Sequence, residues 1–281
     1  MTDKYAVIGN PIAHSKSPLI HAAFAKQFEI TDTPQDISYD PKFAGLDSFE
    51  AKVQELIVQG YKGANVTVPF KFEAFQLCDD LTERARSAGA VNTLLFKQNK
   101  IFGDNTDGLG LVADIVKNLH VTINKRSVLL MGAGGAAYGV VLPLLEAGAM
   151  LSVANRTVQK AEELANKFNL VSDKFTHVYA SSYAGFKDKG FNIVINATSS
   201  GLTDELPAIS STNFDPNALA YDMMYSRETA FKKLADDCQS KNVKFADGLG
   251  MLVEQAAEAF YLWRGVRPET APVIKMMRNL K

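Results

Sequence analysis

Short apolar segments alternate with longer amphipathic segments along almost the whole chain. YAVIG, near the N-terminus, precedes a helical pattern that begins at Pro18, and ANVTV follows a second one that begins at Phe49. SVLLMG likewise precedes a helical pattern that stops near Gly148. Strands that alternate with amphipathic helices in this way indicate a parallel α/β sheet.

The segment after SKSP carries the signals of a helix start. Ser17 is predicted to be the N-cap and Pro18 to occupy the first helical position, where its missing N–H costs nothing. In ANVTV, the two-residue period of a strand puts Asn65 and Thr67 on one face and the apolar residues on the other. The helical face expected to pack on the sheet consists of Ile20, Ala23, Phe24 and Phe28.

Two glycine-rich segments mark candidate domain boundaries. Residues 103–110 read GDNTDGLG and precede a helix, and residues 246–251 read ADGLGM. The strands and helices between these two segments are numerous enough to form a domain of their own, which we predict to span residues 106–247. Residues 1–105 and 248–281 would then form a second, discontinuous domain. The helix after the first boundary is predicted to bury a stripe of Leu109, Val112, Val116 and Leu119.

Composition narrows the function to small-molecule chemistry. The 281 residues are 47% hydrophobic and 22% charged, with a net charge of −1 and interspersed signs, which argues against a nucleic-acid or membrane partner. MTDKYAVIGN lacks the pattern of a signal peptide, so we expect a cytoplasmic location. Cys78 and Cys238 lack metal-site spacing and are interpreted as core thiols, and the four histidines form no metal pattern, so no metal is predicted.

A glycine cluster follows the strand SVLLM. Gly132, Gly134 and Gly135 let a backbone approach a pyrophosphate, which the N-terminus of the next helix attracts, although Ala137 stands at the last glycine position of the dinucleotide fingerprint. The alternative is a tight strand-to-helix turn without a ligand. The segment expected to hold the pyrophosphate comprises Gly132, Ala133, Gly134, Gly135, Ala136 and Ala137.

The end of the next strand favours NADP over NAD. Asn155, Arg156 and Thr157 stand where an NAD enzyme places the acid that binds the ribose 2′-hydroxyl. Arg156, Thr157 and Lys160 instead offer a guanidinium fork, a hydroxyl and a second cation to a 2′-phosphate. Alternatively, Arg156 and Lys160 are only the solvated start of a helix.

Polar residues collect where a substrate would bind. Asn65, Thr67 and Lys71 lie at or beyond the end of one strand, which is where open α/β sheets bind ligands. Ser15 and Ser17 flank a helix N-terminus that could receive a carboxylate, although Ser17 could be only a cap. The remaining candidates, Asn105, Thr106 and Asp107, occur together at the first domain boundary.

The chain resembles the shikimate dehydrogenases, the NADP-dependent enzymes that reduce 3-dehydroshikimate to shikimate in aromatic biosynthesis. The motifs that carry the resemblance are, in order, GNPIAHSKSP, GANVTVPFK, AGAVNT, GDNTDG, GAGGAA, NRT, NATSSG and DGLGMLVEQA, which cover nearly the full length. The resemblance implies a mainly parallel α/β substrate-binding domain plus a Rossmann-type, doubly wound NADP-binding domain. Two departures, Tyr138 and Lys160 where many relatives carry arginine, suggest looser phosphate selectivity.

The resemblance also implies roles for individual residues. Lys71 and Asp107 would form the catalytic pair, with Lys71 the proton donor and Asp107 orienting it. Met223 and Gly248 would lie near the nicotinamide. The residues implied to bind a small-molecule substrate are Ser15, Ser17, Asn65, Thr67, Asn92, Tyr225 and Gln255.

Other functions remain compatible with the residues alone. The first is a quinate/shikimate dehydrogenase with relaxed substrate or cofactor use, and the second is a lyase in which Lys71 forms a Schiff base. The third is an NADP-binding sensor without catalysis. We expect the protein to be a monomer or a homodimer, with a hinge between its two domains.

Overall fold

The computed structural model describes residues 3–28, 37–171, 177–198, 205–225 and 228–280. The chain divides into two compact units. Unit 1 consists of Met1–Gly110 and Leu252–Lys281, and unit 2 consists of Leu111–Met251. The joins fall a few residues beyond the boundaries drawn from the sequence.

Unit 1 is built on a six-stranded sheet that mixes parallel and antiparallel pairs. Its strands are β1 (Asp3–Gly9), β2 (Ile37–Phe43), β3 (Tyr61–Val66), β4 (Asp80–Leu81), β5 (Thr93–Lys97) and β6 (Lys100–Asp104). Their order in the sheet is β2-β1-β3-β5-β6-β4. Strand β1 runs parallel to β2 and β3, whereas β5 runs antiparallel to both β3 and β6. The carboxyl end of β3 and the amino end of β5 therefore lie at the same edge of the sheet.

Short helices connect these strands and pack on the sheet. They are α1 (Ser17–Ala25), α2 (Phe49–Val58), α3 (Lys71–Leu77) and α4 (Glu83–Ala88), followed after β6 by α5 (Asp107–Ala113). Near the C-terminus, α9 (Leu249–Arg264) belongs to this unit from Leu252 onward and α10 (Ala271–Arg278) belongs to it entirely, whereas α5 leaves it after Gly110. The core between α2, α3 and the sheet is formed by fully or almost fully buried side chains such as Ile8, Val53, Leu56, Phe70 and Leu94.

Unit 2 has the strand order of a dinucleotide-binding domain. Its strands are β7 (Ser127–Met131), β8 (Met150–Ala154), β9 (Tyr179–Ser181), β10 (Phe191–Asn196), β11 (Phe214–Asp222) and β12 (Lys244–Asp247). All pairs are parallel, and the order is β12-β11-β10-β7-β8-β9. The order reverses between β7 and β10, and ligands of such sheets bind at the carboxyl ends of the strands at this switch point.

The helices of unit 2 follow the same alternation with the strands. A π-helical turn over Asp114–Asn118 continues α5, and the longer helices are α6 (Gly135–Glu146), α7 (Val158–Val171) and α8 (Ala230–Asp237). Together with the sheet, they enclose a core that contains Leu130, Val140, Leu144, Val153 and Ile195. The fold is therefore the α/β class predicted from the sequence, and unit 2 is a doubly wound Rossmann-type sheet.

Three local predictions were wrong. The N-cap of α1 is Lys16 rather than Ser17, because the chain is already helical at Ser17. Strand β3 ends at Val66, so Val68 lies outside the sheet and is exposed. After the first boundary, Leu111 and Ile115 are buried instead of the predicted stripe, because the face that meets the core is already displaced in the regular turns of α5, before the π-helical turn begins.

Both cysteines pack as apolar residues. Cys238 is buried and Cys78 is half-buried, and each Sγ donates to the carbonyl oxygen four residues earlier, that of Leu234 or of Ala74. Burial raises the pKa of the Cys78 thiol to about 12.

Among the described residues, no group of His, Cys, Asp and Glu has the geometry of a metal site. Within the same part of the chain, no helix has the length and apolar character needed to cross a membrane.

Candidate active site

Lys71 and Asp107 form an ion pair at the beginnings of two helices of unit 1. Helix α3 begins at Lys71 and α5 begins at Asp107. The Lys71 Nζ lies 2.6 Å from the Asp107 Oδ2, and the two side chains are only 19% and 9% exposed. An acid is favourable at a helix N-terminus whereas a cation is unfavourable there, and the Asp107 carboxylate offsets this for Lys71. The result is a shielded ammonium group fixed by a carboxylate.

Asn92 fixes the second oxygen of Asp107. Its Nδ2 donates to the Asp107 Oδ1 at 2.8 Å, to the Thr106 Oγ1 at 3.0 Å and, more weakly, to the Gln255 Oε1 at 3.3 Å. Its Oδ1 accepts from the backbone N–H of Thr106 at 2.9 Å. Asn92, Thr106 and Gln255 are all buried. Both oxygens of Asp107 therefore have a partner, and the ion pair belongs to a continuous hydrogen-bonded network.

Asn65 joins the same network from the end of β3. Tyr39 Oη donates to its Oδ1 at 2.6 Å, and its Nδ2 donates to the Asn92 carbonyl oxygen at 3.2 Å and to the Thr93 Oγ1 at 3.0 Å. Both amide hydrogens are thus used by the protein. The Asn65 side chain is therefore held firmly at the end of β3.

Behind Asn65 lies an aromatic group. The His21 ring stacks on Tyr39 at a centroid distance of 4.3 Å and lies 5.2 Å from Trp263. His21 is buried, its Nε2 has no hydrogen-bond partner among the described residues, and burial lowers its pKa to about 3. Burial also raises the pKa of Tyr39 well above its ordinary value. Both rings are neutral near pH 7, so they support Asn65 without adding charge.

Three further predicted substrate residues lie at other strand and helix ends of unit 1. Ser15 Oγ accepts from the backbone N–H of Ser17 at 3.3 Å, so Ser15 takes up the N–H at the start of α1. Ser17 is buried in the first turn of that helix. Thr67 follows β3, where its N–H donates to the Ile8 carbonyl oxygen at 2.9 Å. The side chains of Ser15 and Thr67 are half-buried.

The glycine turn of unit 2 has the geometry that a pyrophosphate requires. Gly132 has φ +106°, and a Cβ there would lie 3.1 Å from the Ala197 carbonyl oxygen, so a side chain at this position would be strained. A Cβ on Gly134 would meet no described atom within 4 Å, which leaves open space beside the backbone at the start of α6. Ala137 is buried in the first turn of that helix. The turn therefore fits a dinucleotide at the switch point between β7 and β10.

The predicted phosphate-binding residues lie between β8 and α7. Asn155 Nδ2 donates to the Thr157 carbonyl oxygen at 2.9 Å, which fixes the turn. Arg156 and Lys160 are exposed, and neither forms an ion pair with any described residue. Two cations that extend from this turn without acidic partners match the site of a 2′-phosphate.

Met223 and Gly248, predicted to lie near the nicotinamide, are in direct contact in unit 2. A Cβ on Gly248 would lie 2.2 Å from the Met223 carbonyl oxygen, and the Gly248 N–H donates to the Met224 carbonyl oxygen at 3.0 Å. Tyr225 follows in the same loop, is half-buried, and has its pKa raised by burial. Glycine at 248 is therefore needed for the close approach of the two backbones.

Several residues of the site could not be identified from the sequence. Tyr39 and Thr93 hold Asn65, although neither lies in a pattern that points to the site. Thr93 directly follows Asn92 in AGAVNT, which is the only local signal it carries. Asp222 and Thr229, at the end of β11 and the start of α8, are also hydrogen-bonded to each other.

Three family models match separate segments of the chain. The model of the shikimate dehydrogenase substrate-binding domain matches residues 7–94. The model of shikimate/quinate 5-dehydrogenase matches residues 114–203, and that of the shikimate 5'-dehydrogenase C-terminal domain matches residues 248–278.

Individual relatives agree with the family models. The NADP(+) shikimate dehydrogenase of Methylobacillus flagellatus is 56% identical over 98% of this chain and 99% of its own length, and that of Herminiimonas arsenicoxydans is 56% identical over 99% and 98%. Among solved structures, the shikimate 5-dehydrogenase of Thermus thermophilus in complex with NADP(H) and shikimate has a TM-score of 0.84 at 30% identity, covering 98% of both chains. This chain belongs to the shikimate dehydrogenase family.

Proposed function

We propose that this chain catalyses the reversible, NADPH-dependent reduction of 3-dehydroshikimate to shikimate in the biosynthesis of aromatic amino acids. The observation that carries the proposal is the shielded Lys71–Asp107 ion pair, with 2.6 Å between the charged atoms, inside a network of amide side chains. A carbonyl reduction needs such an ammonium group at the oxygen that becomes an alkoxide. A small polyhydroxylated substrate also needs convergent amide groups to fix its hydroxyls.

The side chains of the protein have to donate one proton to the substrate carbonyl oxygen and stabilise the negative charge that forms on it. NADPH supplies the hydride when it is bound. Lys71 Nζ stabilises the negative charge that forms on the carbonyl oxygen and donates a proton to it, because an ammonium group carries three N–H donors and one of them is directed at Asp107. Asp107 orients Lys71 and accepts a hydrogen bond from a substrate hydroxyl.

The other polar residues of unit 1 select the substrate. Ser15 and Ser17 bind its carboxylate at the start of α1. Asn65 contacts a substrate hydroxyl through its Oδ1, since both of its amide hydrogens already serve Asn92 and Thr93. The remaining hydroxyl-binding residues are Thr67, Asn92 and Gln255.

NADP binding is assigned to unit 2. The glycine turn from Gly132 to Ala137 receives the pyrophosphate, and Met223 and Gly248 contact the nicotinamide. Arg156 binds the 2′-phosphate with its guanidinium fork, while Lys160 adds a point charge. Asn155 and Thr157 complete the adenosine side of the site.

A quinate/shikimate dehydrogenase with relaxed cofactor use is the second candidate. The presence of Lys160 rather than arginine favours it, because lysine binds a phosphate without the bidentate geometry. Initial rates with shikimate and quinate, each with NADP and NAD, decide between the two. We expect the shikimate and NADP pairing to have the highest kcat/KM, and comparable values for quinate or NAD would favour the second candidate. If all four pairings lack activity, both are wrong.

We further propose that the small-molecule substrate is the principal partner and that the protein acts as a monomer or a homodimer. The substrate set and the cofactor set both come from a single chain, so the proposed site needs no second copy. Light scattering across a range of protein concentrations, with and without NADP, measures the oligomeric state. A larger assembly would contradict the proposal.

A further inference from the structure

Two Asn–Asp pairs join strands β10 and β11, one at each end. Near the amino end, Asn192 Nδ2 donates to the Asp215 Oδ2 at 3.0 Å. At the carboxyl end, Asn196 Nδ2 donates to the Asp222 Oδ1 at 3.3 Å. The pairs use the same residue types on the same two strands, but Asp215 is half-buried whereas Asp222 is 1% exposed. Only the second pair lies at the edge where the cofactor is expected to bind.

The Asp222 carboxylate is held by neutral donors. Its Oδ1 accepts from Asn196 Nδ2 and from the backbone N–H of Met224 at 3.1 Å, and its Oδ2 accepts from the Thr229 Oγ1 at 2.8 Å. No cation within the described chain forms an ion pair with it. Burial raises the pKa of Asp222. Burying a carboxylate without a cation is unfavourable, and the three hydrogen bonds from neutral donors offset this cost.

The backbone bound by Asp222 is that of the loop assigned to the nicotinamide. The N–H of Met223 donates to the Asn196 carbonyl oxygen at 3.0 Å, and the next N–H, that of Met224, donates to Asp222. The Met224 carbonyl oxygen in turn accepts from Gly248 at 3.0 Å. Consecutive peptide groups are thus fixed against the end of β10 and against Gly248, and Tyr225 follows directly.

Asp222 also holds the start of α8, which follows the Met223–Tyr225 loop in the chain. Thr229 is the N-cap of α8, because its Oγ1 accepts from the Lys232 N–H at 3.2 Å. The same hydroxyl donates its hydrogen to Asp222. A single carboxylate therefore binds both Met224 and Thr229, which closes the connection between β11 and α8.

A further contact links this group to the glycine turn. Asn196 Oδ1 accepts from the Thr198 backbone N–H at 3.2 Å and from the Thr198 Oγ1 at 2.6 Å. Ala197, between them, lies against Gly132, where a Cβ would be 3.1 Å from its carbonyl oxygen. A continuous series of side-chain hydrogen bonds, Thr198–Asn196–Asp222–Thr229, therefore extends from beside the pyrophosphate turn to the start of α8.

We propose that Asp222 is a positioning residue for hydride transfer. Its carboxylate holds the Met223–Tyr225 loop in the conformation that places the nicotinamide, while contributing little to cofactor affinity, which the glycine turn and Arg156 provide. The inference rests on the proposed function. It adds a residue that contacts neither the substrate nor the reacting atoms and acts through the backbone of the loop.

The test compares Asp222→Asn with the matched variant Asp215→Asn. Asparagine replaces one acceptor oxygen by a donor, so the three donors that converge on Asp222 cannot all be satisfied. We expect kcat for shikimate oxidation to fall about tenfold or more in Asp222→Asn, the effect of losing one charge-assisted hydrogen bond, with the Kd of NADPH changed less than about threefold. Asp215→Asn is expected to keep both values within about twofold of wild type.

Thr229 gives an independent second test. Thr229→Val removes both the donor to Asp222 and the N-cap of α8 and should lower kcat in the same way, whereas Thr229→Ser keeps the hydroxyl for both contacts and should retain the wild-type kcat. Far-UV circular dichroism and the melting temperature establish that each variant is folded. If Asp222→Asn does not fold, the Thr229 pair decides.

The outcomes separate this inference from the proposed function. A wild-type protein without shikimate oxidation would refute the proposed function directly. An active wild type whose folded Asp222→Asn and Thr229→Val variants keep kcat would overturn the positioning role alone. A loss of NADPH affinity equal to the loss of kcat would also overturn it, because that result means general damage to the cofactor site.

Discussion

Asn92 Nδ2 lies 2.8 Å from the Asp107 Oδ1, on the carboxylate oxygen opposite the one that contacts Lys71. The same amide also accepts from the Thr106 backbone N–H. Replacing Asn92 by alanine would leave buried groups of Asp107 and Thr106 without partners. Asn92 therefore supports the site and the local fold together.

We expect Asn92→Ala to lower the free energy of unfolding by about 1–3 kcal/mol, the cost of buried unsatisfied polar groups. Because Asp107 loses the partner that fixes its orientation, kcat should fall as well. Urea unfolding and steady-state kinetics measure the two effects. Asn279→Ala, which removes an exposed amide at the end of α10, is the control and should change neither value. Wild-type stability in Asn92→Ala would contradict the network.

Lys71→Ala tests the proposed proton donor. Proton donation by a positioned side chain contributes about 10²–10⁴-fold to a rate, so kcat should fall by at least about a hundredfold with a modest change in the KM of shikimate. Lys62→Ala removes an exposed lysine from β3 in the same unit and should keep the wild-type rate. Near-normal turnover in a folded Lys71→Ala protein would remove Lys71 from the mechanism.

Borohydride distinguishes the Schiff-base alternative for the same lysine. Reduction of a Lys71 imine would leave the substrate covalently attached, which mass spectrometry detects. We expect no adduct, since the proposed role of Lys71 is proton donation. An adduct that disappears in Lys71→Ala would favour a lyase.

Arg156→Ala tests the choice of cofactor. A charge-assisted hydrogen bond contributes about 1.5–3 kcal/mol, so the KM of NADP should rise roughly tenfold or more. The KM of NAD should stay nearly unchanged, because NAD has no 2′-phosphate. Arg126→Ala, an exposed arginine just before β7, controls for the general loss of positive charge. An equal rise for both cofactors would argue against phosphate recognition by Arg156.

Local patterns predicted the elements and the candidate residues better than they predicted the partners of those residues. The strand and helix alternation indicated both sheets, and the glycine cluster lies at the switch point of unit 2 as its sequence suggested. The contact between Tyr39 and Asn65 was not predictable, because the two residues are on separate strands and no local spacing reports a tertiary hydrogen bond. Ser17 was predicted to be the cap because serine is a preferred N-cap residue, but the helix begins one residue earlier than the pattern indicated.

The prediction of the buried stripe after the first boundary was wrong for a different reason. The face that packs on the core contains Leu111 and Ile115, and it also includes a polar residue, Asp114, at the start of the π-helical turn. Asp114 is buried there and its Oδ2 accepts from Tyr221 Oη at 2.6 Å. A polar residue in the core contradicts an amphipathic pattern, so only the tertiary partner explains it.

His21 should make unit 1 sensitive to acid. Burial lowers its pKa to about 3 from an ordinary value of ~6.5, so between those pH values the unfolded chain binds a proton that the folded chain does not. The stability present above the ordinary pKa is therefore lost as the pH falls, by at most about 1.4 kcal/mol per pH unit.

The fluorescence of Trp263, the only tryptophan of the chain, reports this loss in urea titrations at a series of pH values. His21→Phe retains an aromatic ring but cannot bind a proton, so its stability should depend less steeply on pH below ~6.5. The control is His120→Asn, because His120 is exposed with φ +55°, a conformation that asparagine tolerates. Equal slopes for His21→Phe and wild type would mean that His21 is not the sensitive group.

Gly63 is required by the close approach of Trp263 to the sheet. Trp263 Nε1 donates to the Leu94 carbonyl oxygen at 2.9 Å, and a Cβ on Gly63 would lie 2.5 Å from each of these two atoms. Gly63→Ala should therefore lower the free energy of unfolding by about 1–3 kcal/mol, as overpacking does, and shift the Trp263 emission because its hydrogen bond is displaced. Gly134→Ala is the matched control for stability, since its Cβ meets no described atom within 4 Å. Equal melting temperatures for the two variants would show that β3 can move away from Trp263 without cost.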